Sequence, residues 1–205
     1  MEVQTRLQGL LLAALFAALT FVGAQIRLPM VPISFTLQVL FVLLSGNLLG
    51  SRLGGLSQLL YLFIGLAGLP VFAGGGGLGI ILSPSFGYLC AFPVAAFVAG
   101  KNFPVARVEM NNNHHRGKIL VSVLLRNCFA ISVIYVIGAT YLYFIQNLYW
   151  RVNFSLRQVL WFGILIFLPG DLLKAVLAAL ITERLTFKNH DKKLDFLNFF
   201  LYTIY

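Results

Sequence analysis

The sequence predicts an all-α integral membrane protein: a bundle of six transmembrane helices in a single domain over residues 1–205, with both termini cytoplasmic. Composition is the first reason. The 205 residues are 60% hydrophobic and only 10% charged, against about 45–50% and about 25% in a soluble domain. A chain this short exposes too much surface to hide that excess in a water-soluble core. The second reason is that the apolar residues fall into runs near the length of about 20 residues that a spanning helix needs. The third is that the charges gather between those runs. The same composition excludes disorder, collagen-like repeats and a disulfide scaffold. Cys90 and Cys128 both lie in apolar runs and imply no disulfide framework.

The first span covers residues 7–26, LQGLLLAALFAALTFVGAQI. A cleaved signal peptide has a shorter apolar region followed by a polar chain, so this is read as a retained helix. Pro29 and Pro32 end it and mark a loop. The second span is 35–50, followed by Ser51-Arg52, and the third is 54–69, stopped by Pro70. A Gly-rich, partly apolar loop, VFAGGGGLGIILSPS, leads to the fourth span at 86–100. The longest polar stretch, KNFPVARVEMNNNHHRGK, is a surface loop by composition. The fifth span is 119–145, long enough to tilt. The sixth is 159–181, interrupted by Pro169-Gly170, and a charged tail follows.

Basic residues set the orientation. With the N-terminus inside, the inner segments hold Arg6, Arg52, Lys101, Arg107, Arg116, Lys118, Arg184, Lys188, Lys192 and Lys193, while the outer loops hold only Arg27, Arg151 and Arg157. Both termini are therefore expected in the cytoplasm, with the chain in the cell (plasma) membrane, and the Pro-rich and Gly-rich loops face outward together. The net charge of +9 is accounted for by this topology rather than by nucleic acid, since no basic stripe interleaves with aromatics.

Five of the six acidic residues are terminal or in polar loops; Asp171 alone lies inside an apolar span, with Lys174 three residues on. That spacing places both side chains on one helix face. Each charge costs about 2.5–3.5 kcal/mol at a helix centre on insertion scales, a cost offset by pairing and by a polar cavity. The break at Pro169-Gly170 points the same way, because irregular backbone at membrane depth is tolerated only beside protein or a cavity. The bland reading is a pair that satisfies only itself. Counted from residue 159, Asp171 lies about 18 Å along the helix, which requires a deep, outward-opening cavity rather than a shallow site. Arg126, the remaining cation inside a span, is expected to snorkel to the cytoplasmic face.

Gly74, Gly76 and Gly79 match G-x-G-x-x-G, but no βαβ unit surrounds them, so the match to a dinucleotide fingerprint is spurious. The glycines from Gly74 and Gly75 to Gly77 permit left-handed backbone and close approach. With Val71, Phe72, Leu78, Ile80 and Ile81 beside them, they predict a re-entrant lid over a pocket, with Phe72 and Tyr88 as its aromatic wall. The first helix carries Gly9, Ala13 and Ala17, with Ala14 and Ala18 beside them, a small-residue face of the kind that lets helices approach closely in lipid. Neither Gly100-Lys101 nor Gly117-Lys118 belongs to a P-loop, so this chain is not expected to hydrolyse ATP. His114, His115 and His190 all fall in polar segments, which argues against an intramembrane protease. No metal or cofactor is expected.

Several of these stretches, in this order, resemble the BioY family of biotin transporters, the substrate-binding S components of energy-coupling factor (ECF) transporters. They are VPISFTLQVLFVLLSGNLLGSRLGGLSQLLYLFIGLAGLPVFAGGGGLG, SPSFGYLCAF, YVIGATYL and LPGDLLKAVLAAL. The resemblance implies six helices around an outward-facing biotin pocket roofed by the first and third outer loops. It carries the family's biotin-contacting Asp and Lys onto Asp171 and Lys174, and it adds Gln38, Phe72, Gly74, Gly75 and Tyr88 as expected pocket residues. An ureido ring offers two N–H donors and one carbonyl acceptor, which a carboxylate and an ammonium complement. The valerate carboxylate is expected to meet backbone amides or hydroxyls between Gly74 and Tyr88. The resemblance further implies docking on the coupling transmembrane subunit through Ala13 and Ala17, or Ala14 and Ala18, with two ATPase subunits driving transport. It implies a transporter and not an enzyme. The competing expectations are an S component for another small vitamin, and a proton-coupled secondary transporter using Asp171.

Overall fold

The computed structural model describes residues 2–101 and 116–188. It is mostly helical. Helix α1 (Glu2–Gln25) leads into a two-stranded hairpin, β1 (Arg27–Leu28) and β2 (Phe35–Thr36), paired antiparallel with Arg27 opposite Thr36. Helices α2 (Gln38–Leu49) and α3 (Ser51–Leu66) follow, then a 3-10 turn (Leu78–Leu82) and α4 (Phe86–Ala99). The long α5 (Arg116–Phe144) runs on into a π-helical turn, Ile145–Tyr149. The last rod comprises α6 (Leu156–Leu160), a second π-helical turn, Trp161–Leu165, and α7 (Leu168–Lys188). The Asn/His-rich stretch with His114 and His115, and the tail with His190, lie outside the described residues.

Three stretches, Leu7–Gln25, Ile119–Tyr149 and Leu156–Leu185, are long and apolar enough to cross a membrane; α2 and α4 are apolar but shorter. The expected second span loses its first residues to β2, because the loop through Pro29 and Pro32 returns as a hairpin. The expected third span begins earlier, at Ser51, because Gly50 takes a positive φ of 82° between α2 and α3. It ends earlier too, at Leu66, where Gly68 (φ 110°) supplies the left-handed residue that closes a helix. The sixth span does break, but ahead of the expected point. The chain widens from α to π geometry over Trp161–Leu165, leaves the helix at residues 166–167 and restarts at Leu168, so Pro169 sits in the first turn of α7, where a missing N–H costs nothing.

Polarity is distributed inside out. Large apolar side chains such as Phe63, Leu125, Phe129 and Val136 are exposed, whereas Gln38, Asn47, Gln58, Asn127, Asp171 and Lys174 are buried. The compositional excess thus covers the outer faces, as lipid requires. The interior is tied by polar links: Gln58 Nε2 donates to Thr20 Oγ1 (3.1 Å) and Ser45 Oγ (3.2 Å), and Asn47 Nδ2 to Asn127 Oδ1 (3.0 Å). Asn127 Nδ2 in turn donates to the Ala175 carbonyl at 3.1 Å, joining α5 to α7.

With lipid as apolar as the core, close packing must hold the helices together. One close backbone contact joins α2, α3 and α4. A Cβ on Gly46 would lie 2.2 Å from the Ala96 carbonyl oxygen, and one on Gly54 2.7 Å from the Gly46 Cα. The core continues between α4 and α5 and closes where α7 packs on α2 and α5.

Candidate functional site

A cavity of about 180 Å³ opens where the hairpin, the Gly-rich loop and helices α2, α4, α5 and α7 converge. Its floor is Asp171 and Lys174, 5% and 3% exposed. The break before α7 puts Asp171 in that helix's first turn, and the i,i+3 spacing brings Lys174 Nζ to 2.7 Å from Asp171 Oδ1. The second carboxylate oxygen accepts from Tyr135 Oη of α5 at 2.7 Å. Lys174 Nζ also donates to the Thr36 carbonyl of β2 at 2.7 Å and lies 3.7 Å from the centroid of the Phe35 ring. Each charge therefore has a partner of opposite sign and further polar contacts, which is the condition for keeping a charge in a water-poor site.

The hairpin folds against α7, so that the Thr36 carbonyl of β2 reaches the lysine. Arg27, Pro32, Ile33, Ser34, Phe35 and Thr36 all border the cavity. The Gly-rich loop closes another side with Phe72, Ala73 and Gly74, and Ser83 and Ser85 stand at its far end. Phe72 and Gly75 exchange two backbone hydrogen bonds, Phe72 N to Gly75 O at 2.9 Å and Gly75 N to Phe72 O at 3.1 Å, so the glycine run is an ordered turn rather than a slack linker. Gly75 and Gly77 carry the positive φ values, 112° and 89°, that this turn demands.

Tyr88 is fixed on two sides. Its ring occupies the space over Gly138 of α5, where a Cβ would lie 2.4 Å from Tyr88 Cδ1. Its hydroxyl donates at 2.8 Å to the carbonyl of Gly163, a group in the second π turn. Asp171, Lys174, Tyr88, Phe72, Gly74 and Gln38 all border this one cavity. Gly75 does not border the cavity; it holds the turn that presents its neighbours.

A protein-family model, the BioY family, matches residues 1–189. The chain belongs to the BioY family. Among BioY relatives, a probable biotin transporter of Lysinibacillus sphaericus is 41% identical over 177 residues, 86% of each chain. One from Pyrococcus horikoshii is 42% identical over 176 residues, covering 85% of this chain and 93% of the relative. The biotin transporter BioY of Thermotoga maritima is 36% identical over 180 residues, 87% and 96% of the two chains. In three dimensions the chain is similar to a crystal structure of the S-component for biotin from an ECF-type ABC transporter. That likeness has a TM-score of 0.70 and 29% identity over 90% of this chain and 94% of the other. Family and fold point to a transporter.

This BioY chain carries site residues that its sequence did not disclose. Tyr135 is one of eight tyrosines and sits in an apolar run with no motif around it. Arg27 reads as a topology residue, and only the hairpin brings it to the cavity. Phe35 and the Thr36 carbonyl are likewise delivered by β-pairing. A signal for the last two exists in hindsight: the VPISFTLQ stretch precedes α2 without helical character.

The small-residue face of α1 resolves into two unlike halves. Ala13 and Ala17 are 1% and 4% exposed, on the side from which Thr20 reaches Gln58 of α3, so they are spent on packing within the bundle. Ala14 and Ala18 point outward. Arg126 is half-buried, and its Nη1 donates to Ser122 Oγ at 3.3 Å, one turn towards the start of α5. Among the described residues no three His, Cys, Asp or Glu side chains come together.

Proposed function

We propose that this protein takes up biotin, as the biotin-binding S component of an ECF transporter in the cell membrane. In this reading one domain crosses the bilayer six times with both termini cytoplasmic, and the cavity opens outward beneath the hairpin and the Gly-rich loop. A coupling transmembrane subunit and two ATPase subunits supply the driving force.

The observation that carries the reading is the Asp171–Lys174 pair, buried at the cavity floor of a BioY-family chain. An acceptor and a donor held 2.7 Å apart complement the adjoining N–H and carbonyl of an ureido ring. Both oxygens of Asp171 already accept from a cation or a hydroxyl, which supports a binding role over that of a proton carrier. Among the charged groups lining the cavity, the pair cancels and Arg27 remains. The resulting charge of +1 suits a ligand with one carboxylate, and Arg27 is assigned to the valerate end, in place of the backbone amides and hydroxyls expected from the sequence. Phe72 and Tyr88 flank the space between.

Binding of tritiated biotin to the purified, detergent-solubilised protein tests the reading, with other small vitamins as competitors. Saturable nanomolar binding displaced by unlabelled biotin alone is expected; no binding by monodisperse protein overturns it. Arg27→Gln is expected to weaken biotin about tenfold, the scale of one charged hydrogen bond at a partly exposed site, and to leave the affinity for the uncharged biotin amide unchanged. Equal losses for acid and amide remove Arg27 from the carboxylate.

The outward Ala14–Ala18 face of α1 is assigned to the coupling subunit. Ala14→Trp is expected to abolish biotin uptake by cells carrying the whole transporter while equilibrium binding to the isolated protein is retained. Normal uptake by that variant excludes this face.

A further inference from the structure

We infer that Tyr61 is a positioning residue that ties the lid over the cavity to the ion pair beneath it; the inference rests on the biotin-binding reading. Two runs of hydrogen bonds that meet at Thr36, one on its backbone carbonyl and one from its side-chain hydroxyl, connect the two. Lys174 Nζ donates to the Thr36 carbonyl at 2.7 Å, and Thr36 Oγ1 donates to Gln38 Oε1 at 2.8 Å. Gln38 Nε2 then donates to Tyr61 Oη at 2.8 Å, and Tyr61 Oη donates to the carbonyl of Val71 at 2.9 Å. Val71 is where the Gly-rich loop begins. Tyr61 holds the next residue as well, for the Phe72 ring meets its ring edge-on at a centroid distance of 5.3 Å.

Tyr61 and Gln38 are 2% and 4% exposed, so neither of these two inner links can turn to bulk water if the other moves. From the Thr36 hydroxyl to the Val71 carbonyl the donors are aligned in one direction, so they polarise one another and strengthen each link. The far end of the lid is held separately: Tyr141 Oη donates to the Ile81 carbonyl, and Trp150 Nε1 to that of Leu82 at 3.1 Å. Between the two anchors lies the Gly74 to Gly77 turn, itself tied to α3 by Gly77 N donating to the Gly65 carbonyl at 2.7 Å. A ligand that draws on Lys174 shifts the position of Thr36, whose hydroxyl starts the link to Val71. Tyr61 itself does not border the cavity, so it acts through the lid and not by touching the ligand.

The test uses the full-length protein with Tyr61→Phe, which keeps the ring on Phe72 and removes one hydroxyl. Association of tritiated biotin is expected to stay within about twofold, and dissociation in an unlabelled chase to accelerate about tenfold, as two buried partners lose their bond. Lid opening is read separately by maleimide labelling of Ile80→Cys in a Cys90→Ala, Cys128→Ala background, since Ile80 is buried against Gly74. Biotin is expected to slow labelling strongly in the parent and about tenfold less with Tyr61→Phe. Thr36→Val breaks the chain elsewhere, is expected to change both readouts in the same direction, and decides the matter if Tyr61→Phe does not fold. Unchanged dissociation and protection overturn the inference, as does an equal change in both rate constants, which marks a packing role alone. If the parent binds no biotin, the reading of function falls and takes this inference with it.

Discussion

Asp171→Asn is expected to weaken biotin binding by at least about 100-fold, the combined effect of two hydrogen bonds to a charged group at about 1.5–3 kcal/mol each. An amide keeps the shape of the carboxylate but loses its charge and turns one acceptor into a donor: with its oxygen kept towards Lys174 Nζ, its NH2 faces the Tyr135 hydroxyl, which had donated to Oδ2 at 2.7 Å. The ligand loses a charged acceptor, and the lysine loses its anionic partner, keeping only neutral acceptors such as the Thr36 carbonyl beside the Phe35 ring. Breaking a buried pair also destabilises the fold, by about 3–5 kcal/mol, so the ligand-free melting temperature must be measured beside the affinity. The double variant Asp171→Asn, Lys174→Met separates the two effects. It removes both charges, is expected to recover much of the lost stability because an apolar replacement of a whole pair is often neutral, and is expected to recover none of the binding. Wild-type affinity in folded Asp171→Asn removes the pair from the site.

Gly46→Leu is expected to prevent assembly of the bundle altogether, and even Gly46→Ala to cost about 3 kcal/mol or more, the upper end for an overpacked site. The new Cβ would meet backbone, the Ala96 carbonyl oxygen, at 2.2 Å, so no rotamer change relieves the clash and α2 must leave α4. The loss is independent of ligand. Gly79→Ala is the control: nothing stands within 4 Å of its Cβ position and its φ is not positive, so thermal unfolding in detergent should be unchanged. Equal stability of Gly46→Ala and Gly79→Ala contradicts the packing described for α2, α3 and α4.

Much of the floor of the site is legible in the sequence because it is local. An acidic and a basic residue three apart, just past a Pro-Gly in an apolar run, meet on one helix face whatever surrounds them. Gly74 and Phe72 are legible for a similar reason, since a glycine run amid apolar residues cannot be a solvated linker. The walls are not local. Tyr135 lies 36 positions from the carboxylate it donates to, and Lys174 138 positions from the carbonyl that receives it. Arg27 bears the ordinary signature of an outer-loop cation until β1 pairs with β2.

The two faces of α1 show the same limit most plainly. Ala13 and Ala14 are chemically identical, and a helix apolar on every side has no polar stripe to mark its inner face. In water, exposure of apolar surface would break that tie. In lipid it does not, because neighbouring helix and bilayer are equally apolar, and only shape and a few buried hydrogen bonds choose. Composition, run length and charge placement therefore determined by themselves that this chain is an α-helical membrane protein with an ion pair, Asp171 and Lys174, inside an apolar span. Which side chains gather round that pair, where the last rod breaks and which face of α1 stays open were decided only by the tertiary structure, since each depends on contacts between segments far apart in the chain.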